Sequence, residues 1–378
     1  MEQSSIKKKQ IYLPGLNGIR AIAALAVIIS HTNGNFGNFG LTTLPYLELA
    51  GFGVTIFFTL SGFLITFLLF KEIESTRSVN IKKFYVRRIL RIWPLYYFYL
   101  FVILAVVGYI AIGKTFFLYL IIIPNVANGY IFYNAMPWAI PSGTAMFLIG
   151  HYWSLGVEEQ FYSFWPWIIK RMKNILALLI LFPILFLILK IIAKYLQWPL
   201  PIQFILHYSR FGCLAIGALG AYVFWKNYSI LKYLKSPIIQ LLPWVILIII
   251  SLNKFHIFSI VDHEIVSVFI VVLIINQISG YWKLINLENK IFDYLGKISF
   301  GLYVYNPLII FILYRLISKY FSLEDSIISY TGIYVIVIIA NIFIAHLSYF
   351  TLEKFFLNMK SKFITVKSVG SKEELNAN

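Results

Sequence analysis

The stretch GIRAIAALAVIISH, residues 18–31, is an apolar run with Arg20 near its start and His31 at its end. On an α-helix, their separation of eleven residues corresponds to about 1,100°, or three full turns plus about 20°. The two side chains would share one face of the helix, about 16 Å apart. Because ionisable groups in an apolar helix are costly, the pair is a candidate for function. The structural alternative is that Arg20 reaches the cytoplasmic headgroups and His31 caps the outer end.

The composition of the whole chain indicates a membrane protein. Of its 378 residues, 60% are hydrophobic and 12% are charged, and the mean hydropathy is +0.81. A soluble domain carries about 25% charged residues, so this chain uses lipid as its solvent. The single cysteine, Cys213, excludes an internal disulfide. We therefore predict an all-α integral membrane protein.

Apolar stretches long enough to cross a bilayer recur along the chain. We predict about ten transmembrane helices, at approximately 14–33, 51–70, 92–112, 153–169, 174–194, 205–225, 237–252, 264–281, 299–317 and 327–351. A shorter run, 115–126, contains Pro124 and is predicted to be re-entrant or interfacial. The transmembrane domain is predicted to occupy residues 1–355, followed by a polar cytoplasmic tail at residues 356–378.

The basic residues predict the orientation of these helices. Twenty-four of the 32 Lys and Arg residues lie at the N-terminus, in alternate loops and in the tail, whereas loops 32–50 and 127–152 contain none. By the positive-inside rule the basic side is the cytoplasm, so both termini are predicted to be cytoplasmic. The net charge of +17 is therefore a signal of topology, and we predict no nucleic-acid partner.

A second polar motif is GHYWSLGVEEQFYSFWPWI, which enters a predicted span from its outer end. Helical spacing places five of its side chains on one face: His151, Ser154, Glu158, Tyr162 and Trp165. A carboxylate at this depth is a functional candidate. The structural alternative is that Glu158 only pairs with a buried arginine.

A third motif, FYVRRILRIWPLYY, precedes a span on the predicted cytoplasmic side. Arg88 and Arg91 are one turn apart and share a face, a geometry that suits binding of phosphate from two directions. The alternative is an ordinary positive-inside cluster that contacts headgroups. Arg210 in YSRFGCLAIGALGAY and the polar set in LGKISFGLYVYNP complete the candidates, with helix packing as their alternative.

Taken together, five stretches resemble the acyltransferase-3 family, multi-pass membrane enzymes of bacteria that mostly O-acetylate cell-surface or exported glycans. In chain order they are LPGLNGIRAIAALAVIISH, GFGVTIFFTLSGFLIT, FYVRRILRIWP, YWSLGVEEQFYSFWP and LGKISFGLYVYNP. Two positions depart from the family: Thr55 stands where an acidic residue is often found, and Asn306 where histidine is common. Asparagine cannot exchange a proton near neutral pH, although it can hydrogen-bond.

The resemblance implies an O-acyltransferase that takes an acyl group from cytoplasmic acyl-CoA, with acetyl favoured by family frequency. Arg88 and Arg91 are expected to bind the phosphates of CoA, and Arg20 its pantetheine or pyrophosphate portion. No metal is expected. Asp262, His263 and Glu264 carry ligand chemistry, but three consecutive residues point in different directions on a helix.

The resemblance also implies roles at the reacting centre. His31 is expected to act as general base on an acceptor hydroxyl, oriented by Glu158. An acyl-histidine intermediate is the alternative route. Three further residues are expected to bind the acceptor or stabilise the oxyanion: Ser154, Tyr162 and Arg210.

The expected setting is the bacterial cytoplasmic membrane, with an exported glycan or glycolipid as acceptor. Many relatives carry an appended outer domain, so the chain either completes the transfer alone or uses a periplasmic or extracellular partner. Two rival functions are a transporter or flippase for lipid-linked sugars or acyl donors, and a sensor with a degenerate site. The Arg-x-x-Arg motif and the first-span pair favour the enzyme. The sequence does not predict an oligomeric state.

Overall fold

A computed structural model shows helices packed side by side, with one small sheet that joins the two ends of the chain. It describes residues 9–108, 116–132, 143–172, 174–234, 236–279, 283–364 and 366–369. Some predictions fall on residues outside these ranges. They concern Lys7 and Lys8, residues 109–112 and 280–281 at the ends of two predicted spans, and residues 133–142 of a predicted outer loop.

The helices are numbered in chain order within the described residues. They are α1 Leu16–Asn33, α2 Leu49–Thr76, α3 Ile81–Val107, α4 Phe116–Leu120, α5 Pro124–Phe132, α6 Gly143–Ile149, α7 Trp153–Arg171, α8 Ile175–Tyr195, α9 Leu200–Ser209, α10 Phe211–Lys226, α11 Ile230–Leu234, α12 Pro237–Ser251, α13 Asp262–Ile278, α14 Lys290–Lys297, α15 Ser299–Tyr320, α16 Ile327–Ser348 and α17 Lys354–Ser361. Short 3₁₀ turns cover Phe36–Phe39 and Gly150–Tyr152, and a π-helical turn covers Tyr349–Glu353. The strands are β1 Lys9–Tyr12 and β2 Val366–Val369.

The prediction of an all-α membrane protein is confirmed. Each predicted span overlaps helical residues of the described chain, and the span 205–225 overlaps two helices, α9 and α10. Six helical segments of the described chain are long and apolar enough to cross a membrane: Leu49–Thr76, Ile81–Val107, Ile175–Tyr195, Leu200–Lys226, Ser299–Tyr320 and Ile327–Ser361. The count of ten spans and the orientation of the termini stay predictions.

Helix α8 illustrates why lipid is the solvent. Asn174 caps the N-terminus of this helix, and its side-chain oxygen accepts a hydrogen bond from the backbone N–H of Ala177. The helix then exposes a long series of aliphatic side chains: Ile180, Leu181, Ile184, Leu185, Ile188, Ile191 and Ile192. Such a surface is unfavourable in water and suits hydrocarbon tails. The chain is therefore a multi-pass membrane protein.

Two predicted segments are interrupted. Within the predicted span 205–225, helix α9 ends at Ser209 and helix α10 begins at Phe211. The helix is broken because the backbone of Arg210 is in the left-handed region, with φ 44°. The short run 115–126 forms the five-residue helix α4 and the first turn of α5, which begins at Pro124. Proline suits the first turn of a helix and not its interior, which explains the break.

Helix α2 is packed most closely against α10. A methyl group added at Gly62 would lie 1.9 Å from the carbonyl oxygen of Leu214, and one added at Gly217 would lie 2.0 Å from that of Thr59. Both distances are far shorter than a van der Waals contact between non-bonded atoms. In both cases the atom in the way belongs to the backbone of the neighbouring helix, which cannot move aside as a side chain can. Small residues at these positions therefore allow the two helices to touch.

This packing leads to a first testable prediction. We expect Gly62→Ala and Gly217→Ala to lower the thermal stability of the purified protein in detergent, since overpacking costs about 1–3 kcal/mol. Gly332→Ala in α16 is the matched control. Nothing lies within 4 Å of a methyl group there, and alanine is the better helix former by about 0.5–1 kcal/mol. Equal melting temperatures for Gly62→Ala and Gly332→Ala would contradict the packing.

The two ends of the chain are joined beside α3. Strands β1 and β2 pair in parallel, with Lys9 opposite Val366. The segment between α17 and β2 is held by Arg87, whose Nη1 donates to the carbonyl oxygen of Phe363 at 3.1 Å. The other end of the Arg87 guanidinium pairs with Glu72 at 3.0 Å. As a result, the first part of the predicted tail packs on the helical bundle.

Candidate active site

A cavity of about 460 Å³ lies between the start of α1, the end of α2, the start of α3 and the C-terminal segment. Its cationic lining consists of Arg20, Arg87, Arg88, Arg91, Lys297 and Lys360. We call this space the basic cavity. It is on the side of the bundle where the two ends of the chain meet.

Most of these arginines have no counter-ion. Arg87 pairs with Glu72, but among the residues that the structure describes no carboxylate is within ion-pair distance of Arg20, Arg88 or Arg91. The Nε atom of Arg88 is also buried without a hydrogen-bond partner. Like charges collected in this way are unfavourable until an anion joins them. The basic cavity therefore suits a ligand with several phosphate groups.

A second cavity, of about 130 Å³, continues from the basic cavity into the bundle. Both spaces are lined by Arg20, Arg88 and Arg91, so the three guanidinium groups stand at the junction. Beyond them the walls are mainly apolar and aromatic, and the lining extends to Ser154 and Tyr303. We call this space the deep cavity. Its lining is therefore charged at the junction and mainly apolar beyond it.

Glu158 is fixed in the wall of the deep cavity by two hydroxyl groups. Ser61 Oγ donates to Oε1 at 3.0 Å, and the Tyr162 hydroxyl donates to Oε2 at 2.9 Å. The family resemblance implies that Glu158 orients His31, but in the described chain its hydrogen bonds go to these hydroxyls. The reason is that its face of α7 meets α2, not the end of α1. The carboxylate instead interacts electrostatically with Arg88.

The side chain that contacts His31 is Asn306 of α15, whose Nδ2 is 2.9 Å from Nδ1 of the ring. Oδ1 of Asn306 is buried and has no partner. Rotating the amide by 180° would therefore let Oδ1 accept from an Nδ1–H without breaking another hydrogen bond. Nε2 of His31 would then carry the free lone pair that a general base requires.

The structure brings six of the eight predicted site residues to the two cavities: Arg20, Arg88, Arg91, Ser154, Glu158 and Tyr162. His31 is not in the lining of either cavity. It contacts Asn306 of α15 instead.

The eighth predicted residue, Arg210, lies elsewhere. Its Nη1 donates to the carbonyl oxygen of Gly51 at 2.6 Å and to Thr55 Oγ1 at 3.2 Å. Its guanidinium group is 5.2 Å from the ring of Trp153, which in turn contacts Phe58 in the wall of the deep cavity. Arg210 is thus separated from the deep cavity by an aromatic layer.

The polar residues at the start of α13 have three different partners. Asp262 accepts from the backbone N–H groups of residues 257 and 258 at 2.9 Å, His263 Nδ1 lies 2.9 Å from Thr55 Oγ1, and Glu264 pairs with Lys190 at 2.6 Å. Consecutive helical residues diverge, as the sequence predicts. Within the described ranges no group of three or more His, Cys, Asp or Glu side chains could hold a metal ion.

Lys360 is a residue of the site that sequence analysis misses. It lines the basic cavity from α17 and interacts electrostatically with Arg88 and Arg91. In the sequence it is one basic residue of a polar tail, and no local pattern predicts that this tail folds back. Asn306 belongs to the motif LGKISFGLYVYNP, which the sequence singles out, but the sequence does not predict its contact with His31.

Comparisons with known proteins identify relatives of the chain. A family model described as an acyltransferase domain, Acyl_transf_3, matches residues 13–349. The O-acetyltransferase OatA of Staphylococcus aureus strain NCTC 8325 is 27% identical over 331 residues, which cover 80% of this chain and 51% of that protein. OatA of strain COL gives the same values. The chain spans about half the length of the curated relatives it matches. No solved structure matches the chain.

Proposed function

The chain belongs to the acyltransferase-3 family, and on that premise we propose that it is a membrane-embedded O-acetyltransferase. It moves an acyl group, acetyl by analogy with OatA, from cytoplasmic acyl-CoA to a hydroxyl of an exported or surface glycan. The observation that carries the proposal is the junction of the basic and deep cavities, where Arg20, Arg88 and Arg91 line both spaces and, among the described residues, form no ion pair with a carboxylate.

The donor is bound in two parts. The basic cavity holds the phosphates of CoA through Arg88, Arg91 and Lys360, because guanidinium and ammonium groups match phosphate oxygens. The pantetheine arm then passes Arg20 and enters the deep cavity. On this proposal the thioester lies near Ser154 and Tyr303, which line the deep cavity.

The reaction is a direct acyl transfer. Nε2 of His31 takes the proton of the acceptor hydroxyl while its oxygen forms a bond to the acyl carbon. The tetrahedral intermediate collapses, the C–S bond breaks, and the CoA thiolate takes the proton from His31. Asn306 accepts from Nδ1–H and holds the ring, the role that a carboxylate has beside other catalytic histidines. Glu158, bound by Ser61 and Tyr162, balances the charge of the arginines at the junction.

The setting follows from the direction of this reaction. The donor enters from the cytoplasm and the product is released outside, so the protein resides in the bacterial cytoplasmic membrane. Ser154 and Tyr162 line the deep cavity and therefore contact the donor. Arg210 lies beyond Trp153, and we assign it to binding of the acceptor. No step of this mechanism requires a metal.

The proposal is tested in proteoliposomes that hold purified protein. Acetyl-CoA with a labelled acetyl group is added on one side, and glycans with free hydroxyls are enclosed on the other. We expect labelled ester on the enclosed glycan and stoichiometric CoA release. Movement of labelled lipid-linked sugar or intact donor without ester formation would support the flippase instead. Mass spectrometry of surface glycans from cells with and without the gene then identifies the acceptor by its missing acetyl mass.

The role of Asn306 gives a second prediction. We expect Asn306→Leu to lower kcat about tenfold to a hundredfold and to leave the KM for acetyl-CoA unchanged, since losing a buried hydrogen-bond partner costs about 1–3 kcal/mol. Asn306→His, the residue common in the family, is expected to retain most activity. The matched control is Asn341→Leu, because Asn341 is equally buried and its side-chain hydrogen bond within the described residues goes to Val337 of its own helix. Equal kcat values in the two leucine variants would contradict the role.

A further inference from the structure

A third cavity, of about 470 Å³, lies beside the basic cavity, and no step of the proposed transfer uses it. Its walls come from α14, from the residues just before that helix, and from the π-helical turn Tyr349–Glu353. We call this space the side cavity. It is about as large as the basic cavity, so it has room for a further part of a large ligand.

The side cavity and the basic cavity share part of their walls. Lys297 and Tyr349 line both spaces. A hydrogen bond also links the two linings, because Nδ2 of Asn17, in the wall of the basic cavity, donates to Oδ1 of Asp293, in the wall of the side cavity, at 3.5 Å. The side cavity is therefore the direct neighbour of the space in which the phosphates of CoA are proposed to lie.

The two neighbouring cavities differ in charge. The basic cavity is lined by several more cations than carboxylates, which suits phosphate groups. The side cavity has balanced charges and adds two amides: its polar side chains include Glu288, Asp293, Lys290, Lys297, Asn286 and Asn289. Carboxylates repel a further phosphate, whereas carboxylate and amide oxygens accept hydrogen bonds from an uncharged amino group. The side cavity thus suits an uncharged group with hydrogen-bond donors.

Two consecutive aromatic side chains of the π-helical turn complete this lining. Tyr349 and Phe350 both border the side cavity, and their rings meet edge to face with centroids 5.2 Å apart. Helical turns of the π type are rare and occur frequently at functional sites. Aromatic side chains are also the groups on which the flat faces of nucleobases stack. Aromatic rings beside hydrogen-bond acceptors are what a purine with an amino group requires.

We propose that the side cavity binds the adenine ring of the CoA donor. The inference rests on the proposed transferase function, in which acyl-CoA is that donor. The phosphates stay in the basic cavity, the ribose lies beside Lys297 and Tyr349, and the adenine ring lies against Tyr349 and Phe350. Its amino group donates to the carboxylate and amide oxygens of the side cavity. Each chemically distinct part of the donor then has its own space: the phosphates in the basic cavity, the pantetheine arm in the deep cavity and the base in the side cavity.

The first test locates the base in the unmodified protein. 8-Azido-CoA carries a photoreactive group on the adenine ring and keeps the phosphates and the pantetheine arm. We expect illumination to label peptides that contain residues 286–298 or 349–350, which border the side cavity, and we expect excess CoA to prevent the labelling. Three results would overturn the inference: label confined to other peptides, label that excess CoA does not prevent, and no label at a concentration that saturates the CoA site.

The second test compares two exposed phenylalanines. Phe350 lines the side cavity but not the basic cavity, and Phe355 of α17 lines none of the three cavities. We expect Phe350→Leu to raise the Kd for CoA about tenfold, as loss of a base-stacking ring does. The Kd for 4′-phosphopantetheine, which has no base, should not change. Phe355→Leu is the matched control and should change neither Kd.

Two outcomes of the second test would contradict the inference. One is an equal Kd for CoA in the two leucine variants. The other is an equal loss of affinity for CoA and for 4′-phosphopantetheine in Phe350→Leu, which would indicate a general effect on the donor site. If the unmodified protein binds no CoA, the proposed function itself fails, which is a separate result.

Discussion

Replacing His31 with glutamine is expected to lower kcat for acyl transfer by about 10³-fold, within the range of 10²–10⁴ that a positioned general base contributes. Glutamine fits the space and can bond to Asn306, but it cannot take a proton near neutral pH. The affinity for CoA should stay unchanged, because His31 lies outside the lining of the basic and deep cavities. Transfer from labelled acetyl-CoA and CoA titration measure the two quantities.

The matched control is His346→Gln. His346 is also a histidine of a predicted span, and its Nδ1 contacts the hydroxyl of Tyr294 at 2.8 Å. We expect wild-type kcat in this control. Near-normal turnover in the His31 variant would remove the general base from the mechanism. Trapping of labelled acetyl on His31 in the unmodified protein, without acceptor present, would instead support the acyl-histidine route.

The other large effect is expected at the junction of the two cavities. Arg88→Gln and Arg91→Gln should each raise the Kd for CoA by about tenfold to a hundredfold, since a hydrogen bond to a charged group is worth about 1.5–3 kcal/mol. In transfer assays, KM for acetyl-CoA should rise far more than kcat falls. Lys360→Gln is expected to act in the same direction, because Lys360 borders the same cavity.

Two controls separate phosphate binding from general loss of charge. Arg77→Gln removes a cation from an exposed position at the end of α2 and should leave the Kd for CoA unchanged. Acetyl-pantetheine carries no phosphate, so the unmodified protein and the Arg88 and Arg91 variants should use it equally slowly. A lower kcat with unchanged KM in these variants would place the arginines in the chemistry and not in donor binding.

Much of the fold can be predicted from the local sequence. Hydropathy predicted every helix of the ten candidate spans, because an apolar run of this length must satisfy its backbone hydrogen bonds within one helix. The exception is the break at Arg210, where φ is 44°. An arginine does not signal such a break, since its conformation here follows from bonds to Gly51 and Thr55 of another helix.

The candidate site was predicted in part for the same reason. Periodicity placed Ser154, Glu158 and Tyr162 on one face of α7, and all three line the deep cavity. Periodicity does not say which helix that face meets. The family resemblance implied His31 as the partner of Glu158, whereas the hydroxyl of Ser61 in α2 is the group from another helix that binds it.

The sequence by itself determined the solvent of this protein, its helices and the common face of Arg20 and His31, since these follow from hydropathy and from the helical repeat. Only the tertiary structure decided that Asn306 contacts His31, 275 positions away in the chain, that Lys360 lines the basic cavity, and that Trp153 lies between Arg210 and the deep cavity. Such pairings depend on how distant helices pack, and close packing is set by the shapes of both surfaces together.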